Sequence, residues 1–127
     1  MKISSIEATS IQYPSIPNPT PSRNSSAPEL KPDPTPMGRY KRFRKERSSW
    51  TPPGQRNVGC VVTAEDGSWG FGMTDYGRAT SAMIDDVFSP RLIGEDVFAT
   101  ERLYDLMVRI ASPISAQGVS AYAMSAI

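Results

Sequence analysis

Few side chains in this 127-residue sequence could do chemistry. There is no histidine, so neither a Ser/His/Asp nor a Cys/His catalytic group can be assembled from it, nor a His-rich metal site. A single cysteine, Cys60, excludes an internal disulfide framework and a thiolate zinc site. Set among valines, it reads as a small buried hydrophobe whose thiol has no imidazole to activate it. Asp85-Asp86 and Glu95-Asp96 are adjacent carboxylates whose side chains diverge on a helix, which favours solvated faces over an acid/base pair. Gly67, Gly70 and Gly72 do not precede a helix as a phosphate loop requires. The residues themselves supply no catalytic group and no metal site.

The strongest cluster of functional groups is Gly38–Trp50, where Arg39, Lys41, Arg42, Arg44, Lys45 and Arg47 meet a single acid, Glu46, and are interleaved with Tyr40, Phe43 and Trp50. Three readings stay open. Cations with stacking rings suit a nucleic-acid contact strip. A solvated basic stretch could instead face an acidic partner. Thirdly, one arginine alone could orient an acidic substrate, since its planar fork takes a carboxylate bidentately. The formal net charge of +1 gives no bulk electrostatic case for nucleic acid or membrane. No apolar run reaches the roughly 18 residues that span a bilayer, and the opening MKISSIEATS lacks an apolar signal region; the expected location is cytoplasmic.

These residues must be positioned by an unevenly built chain. Ten of the twelve prolines lie between Pro14 and Pro53, so neither helix nor central strand can run through that stretch. The expectation is a long Pro-rich loop over 14–56, of the length that serves as a lid or a linker. Before it, Lys2–Tyr13 reads as a strand from its β-branched residues, although its apolar spacing does not alternate cleanly. After it, Asn57–Glu65 and Ser68–Asp75 flank Asp66-Gly67 as a hairpin with a two-residue type I′ turn. Trp69, Phe71 and Met73 fall on one face of the second strand and Gly70, Gly72 and Thr74 on the other, where a helix or another backbone should pack closely.

Arg78–Phe88 then carries Met83, Ile84, Val87 and Phe88 at helical spacing, with Pro90 expected to end the helix. Phe98–Ala111 carries Leu103, Leu106, Met107 and Ile110 as a core stripe, with Thr100 as N-cap. Gly118–Ile127 reads as the start of a third, buried helix, so the chain is expected to stop inside an element of a larger protein. The fold class is therefore α+β: a three-stranded antiparallel sheet followed by a small helical bundle, with no (β/α) barrel.

This order of elements carries residues that resemble the N-terminal capping domain of the enolase superfamily, in the mandelate racemase/muconate lactonizing group. They are Met1-Lys2-Ile3-x-x-Ile6-Glu7, Val61-Val62-Thr63-x-x-Asp66-Gly67-x-Trp69-Gly70-x-Gly72, Tyr76-Gly77-Arg78 and Pro90-x-Leu92-Ile93-Gly94-x-Asp96. Glu101-Arg102-Leu103-Tyr104-Asp105-x-Met107 and Ala123-Met124-Ser125-Ala126-Ile127 complete the set. Within the superfamily, Thr35-Pro36-Met37-x-x-Tyr40 and Arg47-x-Ser49-Trp50 resemble the loop of L-rhamnonate dehydratase and related acid-sugar dehydratases.

The resemblance implies a capping domain over 1–127, with the catalytic barrel outside this chain. It implies that Arg47 grips an acid-sugar substrate, with Trp50 and Tyr76 also substrate-facing; for Tyr76 the alternative is ordinary interface packing. The subgroup places a histidine in the same loop and this sequence has none, which removes one expected substrate contact. For the complete enzyme the resemblance implies Mg²⁺, a barrel base that removes the proton α to a carboxylate, loss of a β-hydroxyl as water, and assembly as a homo-oligomer. This chain would bind no cofactor and be inactive alone. The alternatives are a stand-alone module that binds nucleic acid or an acidic partner through 38–50, and a non-catalytic paralogue that dimerises through an exposed helical face.

Overall fold

The computed structural model describes residues 1–12 and 57–127 of the chain. The 14–56 loop, the basic strip over 38–50, Arg47 and Trp50 thus lie outside the described residues. Three strands, β1 (Ile3–Ile11), β2 (Asn57–Ala64) and β3 (Trp69–Thr74), form an antiparallel sheet in the order β1-β2-β3. The irregular spacing in β1 has a structural cause. Ile3 pairs with Ala64 and Ser5 with Thr63, so Ser4 is an extra, bulged residue whose Oγ donates to the Thr63 carbonyl at 2.9 Å. A bulge shifts the side-chain period by one, and Ile3 and Ile6 are therefore both buried on the same face despite their odd separation.

The hairpin forms as expected, but its turn is not a two-residue type I′. The Ala64 N–H donates to the Ser68 carbonyl at 2.8 Å and the Gly67 N–H to the Ala64 carbonyl at 3.0 Å, which encloses three loop residues. Only Gly67 has positive φ (83°), the pattern of a turn closed by one left-handed glycine. Asp66 completes it by accepting from the Ser68 N–H and hydroxyl at 3.0 and 2.6 Å.

Helix follows, as α1 (Arg78–Ala82), a π-helical turn over Met83–Phe88, α2 (Ser89–Leu92), α3 (Thr100–Ala111) and α4 (Val119–Ala126). Pro90 does not end the first helix. The π turn hands over to a new α-turn, so Pro90 falls in the first turn of α2, where the missing N–H is tolerated. The Arg91 guanidinium donates to the Val87 carbonyl at 2.7 Å. The helix instead stops at Ile93, which is extended, and at Gly94 with φ 89°. Thr100 is not the N-cap of α3; that position is Ala99, without a side-chain cap bond. Asp96 leads into the helix, its carboxylate accepting from the Phe98 N–H at 3.3 Å and its carbonyl from the Ala99 N–H at 3.1 Å.

The helices cover one face of the sheet. Ile84, Phe88 and Leu92 are fully buried and keep a four-residue spacing through the π turn. Leu103, Met107 and Ala111 of α3 join them, while Leu106 and Ile110 from the expected stripe are half-buried. Helix α4 buries Ser120, Ala123, Met124 and Ala126, but its other side is exposed, so it is not buried all round. The close approach expected on the glycine side of β3 is that of α4: a Cβ on Gly72 would meet the Ala126 carbonyl oxygen. Trp69, Phe71 and Met73 lie on the opposite face and are exposed. The architecture is α+β, a three-stranded antiparallel sheet followed by helices, with no (β/α) barrel among the described residues.

Candidate functional site

The two ends of the sheet differ. At one end β1 finishes with Ile11 opposite Asn57, and Val58 pairs with Thr74, the last residue of β3. The 13–56 segment is inserted between residues of this end, and the turn Asp75-Tyr76-Gly77 leaves from it into α1. The lid candidate and Tyr76, separated in the sequence, are thus attached at one edge of the fold.

The turn is held by specific contacts. The Thr80 hydroxyl, fully buried, donates to the Asp75 carbonyl at 2.7 Å, and the Thr80 and Ser81 N–H groups donate to the Gly77 carbonyl at 3.1 Å. Tyr76 adopts φ 73° and Gly77 φ 56°. Glycine enters this region freely, whereas a tyrosine there costs about 1–2 kcal/mol and persists only where its surroundings dictate it. Beside the turn, Thr74 Oγ1 is buried with no hydrogen-bond partner among the described residues.

Tyr76 meets Tyr122 of α4. Their ring centroids are 4.4 Å apart at an interplanar angle of 56°, and the Tyr122 hydroxyl donates to Tyr76 Oη at 3.4 Å. Tyr122 is 39% exposed and Tyr76 half-buried. The hydrogen bond to Tyr76 holds the Tyr122 phenol above the ordinary tyrosine value, and the charge of Tyr76, desolvation and the Asp75 carboxylate push the same way. Tyr122 was not among the sequence candidates. Its signal was faint: a single large polar ring in an otherwise small, apolar helix, brought to Tyr76 only by tertiary packing.

The other candidates sort out simply. Cys60 is fully buried, and burial together with the Asp85 charge pushes its thiol up to about 11, the opposite of activation. Asp85 is exposed as expected but not idle, since it accepts the Ala8 N–H at 2.9 Å and ties the π turn to β1. Glu95 pairs with Arg102 at 3.0 Å and Asp96 with the N-terminal ammonium at 3.3 Å. Among the described residues no group of three or more His, Cys, Asp or Glu side chains could hold a metal ion. No helix among them is long and apolar enough to cross a membrane.

No family model matches the sequence. Over 96 residues it is 29% identical to a protein of Caldivirga maquilingensis described as "Putative L-rhamnonate dehydratase", a stretch that makes up 73% of this chain and 23% of that protein. The fold is similar to that of L-rhamnonate dehydratase from Gibberella zeae, with a TM-score of 0.65 and 22% identity over 94% of this chain and 27% of that one. It is also similar to a member of the enolase superfamily from Agrobacterium tumefaciens, with a TM-score of 0.51 and 26% identity over 55% of this chain and 19% of that one. The chain therefore spans about a quarter of the length of these proteins, and its capping-domain-like fold resembles the N-terminal domain of the enolase superfamily.

Proposed function

We propose that the chain is the capping domain of an enolase-superfamily dehydratase acting on acid sugars of the L-rhamnonate type, and that it supplies the loops that cover and read the substrate. The observation that carries this reading is the gathering, at one end of the sheet, of Ile11 and Asn57, which flank the 13–56 segment in the sequence, and of the turn that bears Tyr76. Similarity of fold over nearly the whole chain supports it. In this reading Arg47 orients the substrate carboxylate through its planar fork, and Trp50 and Tyr76 line the cover. The reading assigns the ligands of Mg²⁺ and the base that removes the α-proton to a barrel outside this chain; among the described residues no group of three or more His, Cys, Asp or Glu side chains could hold a metal ion. The complete protein is read as a homo-oligomer.

The test is turnover of L-rhamnonate and related aldonates by the complete protein, followed as the 2-keto-3-deoxy acid that water loss produces. Mg²⁺-dependent product is expected, and none from the 127-residue chain alone. Arg47→Ala in the complete protein should lower kcat/KM by about 2–4 kcal/mol. Turnover by the 127 residues themselves, or an unchanged kcat/KM in the variant, contradicts the corresponding part of the reading.

A further inference from the structure

Tyr76 and Tyr122 present an arrangement that packing alone does not require. Two phenols share one hydrogen bond, at a half-buried turn whose tyrosine is held in a left-handed conformation. With Tyr122 as donor, the Tyr76 O–H and lone pairs on both oxygens are left for a ligand. Such a pair can donate and accept at once, which matches a ligand hydroxyl. A carboxylate can only accept, so it would use the Tyr76 O–H and leave the lone pairs of the two oxygens unmet.

We infer that Tyr122 is the second half of the contact made by Tyr76, and that the two phenols together recognise a neutral hydroxyl on the chain of a polyhydroxy acid rather than its carboxylate. This rests on the capping-domain reading above. Tyr122 then sets which hydroxyl pattern is accepted.

The test uses the complete protein, with Tyr76→Phe, Tyr122→Phe and the double variant. Phenylalanine keeps the ring contact and removes only the hydroxyl, and thermal unfolding checks that each variant is folded. Against a fully hydroxylated aldonate each single variant should lose about tenfold in kcat/KM, and the double variant little more than either, as expected for one hydrogen-bonded unit. The variants should also discriminate less between that acid and a deoxy analogue. A separate readout is the ultraviolet difference spectrum of tyrosine when the acid binds, expected in the wild type and lost in the double variant. Losses that multiply in the double variant, or an unchanged preference for the hydroxylated acid in Tyr122→Phe, overturn the inference while leaving the capping reading standing. A wild-type protein that turns over no acid sugar overturns both.

Discussion

Gly72 is where the sequence leaves the least room. A Cβ there would fall on the Ala126 carbonyl oxygen and lie 2.8 and 3.0 Å from its carbonyl carbon and Cα. These are backbone atoms of α4, so no rotamer change relieves the clash and the end of the helix must lift from β3. Lifting it exposes part of Met124, worth about 1.5–3 kcal/mol when fully buried, and the Ala126 methyl, worth about 0.8 kcal/mol. Against this, alanine restricts the unfolded chain and regains about 0.4–1 kcal/mol. Gly72→Ala should therefore destabilise the chain by about 1–3 kcal/mol. Gly70→Ala is the matched control, since nothing lies within 4 Å of a Cβ at that position on the same strand. Urea unfolding followed by far-ultraviolet circular dichroism measures both. With a slope of about 1–2 kcal/mol per molar urea, the Gly72→Ala midpoint should fall by about 0.5–3 M while that of Gly70→Ala does not fall. Equal midpoints for the two variants would refute the argument that α4 sits against the backbone of β3.

Other positions make different demands. Gly59→Ala should cost less than Gly72→Ala in the same urea titration, below about 1 kcal/mol, because its Cβ would meet the Ile11 Cδ1 and Phe71 Cε2 side-chain ends at 2.8 and 2.9 Å and Phe71 is exposed enough to yield. Phe88→Ala empties a fully buried site and should cost about 3–5 kcal/mol. Thr74→Val removes a buried hydroxyl without a partner among the described residues and should raise stability by about 1 kcal/mol, which a rise in Tm would show. Cys60 should resist a thiol reagent at pH 8 and react only at the rate of unfolding. Since its folded pKa is raised above the unfolded value, its stabilising contribution is complete below about 9 and is lost as pH climbs towards about 11, which urea midpoints across that range will reveal.

Much of the fold was legible because each element writes a local pattern. The β-branched run of β2 and the glycine-turned hairpin identify the sheet, and Leu103 and Met107 identify α3, since these patterns follow from one period and one buried face. What was illegible depended on contacts between distant parts. The bulge at Ser4 appears in the sequence only as faulty alternation. The π turn over Met83–Phe88 keeps an apolar spacing that an α-helix would also satisfy, and Pro90 looks like a stop unless that turn is known to precede it. At the candidate site, Tyr76 was singled out only through the family resemblance. Tyr122 could not be singled out, because its significance lies in a hydroxyl 46 residues away in the chain.

The contrast between the two ends of the sheet bears on where recognition takes place. At the hairpin end, the Ile3 N–H donates to Glu95 at 2.9 Å, the Val97 N–H to Met1 at 2.9 Å and the Glu65 N–H to Lys2 at 3.0 Å, so backbone groups satisfy one another and the turn uses a glycine where φ is positive. At the other end a tyrosine takes the positive φ, a threonine hydroxyl is buried without a partner among the described residues, and two phenols share a single long hydrogen bond. Each of these features costs stability that a simple substitution would recover: glycine at Tyr76 relieves the backbone, and valine at Thr74 removes the orphan hydroxyl. Within the sheet these features gather at one end, although Ser115 between α3 and α4 also takes a positive φ (137°), and their gathering does not follow from the needs of the sheet, which are the same at both ends. It follows if side-chain identity at that end matters more than local stability, as it does where Tyr76 and its neighbours must present particular groups to a ligand.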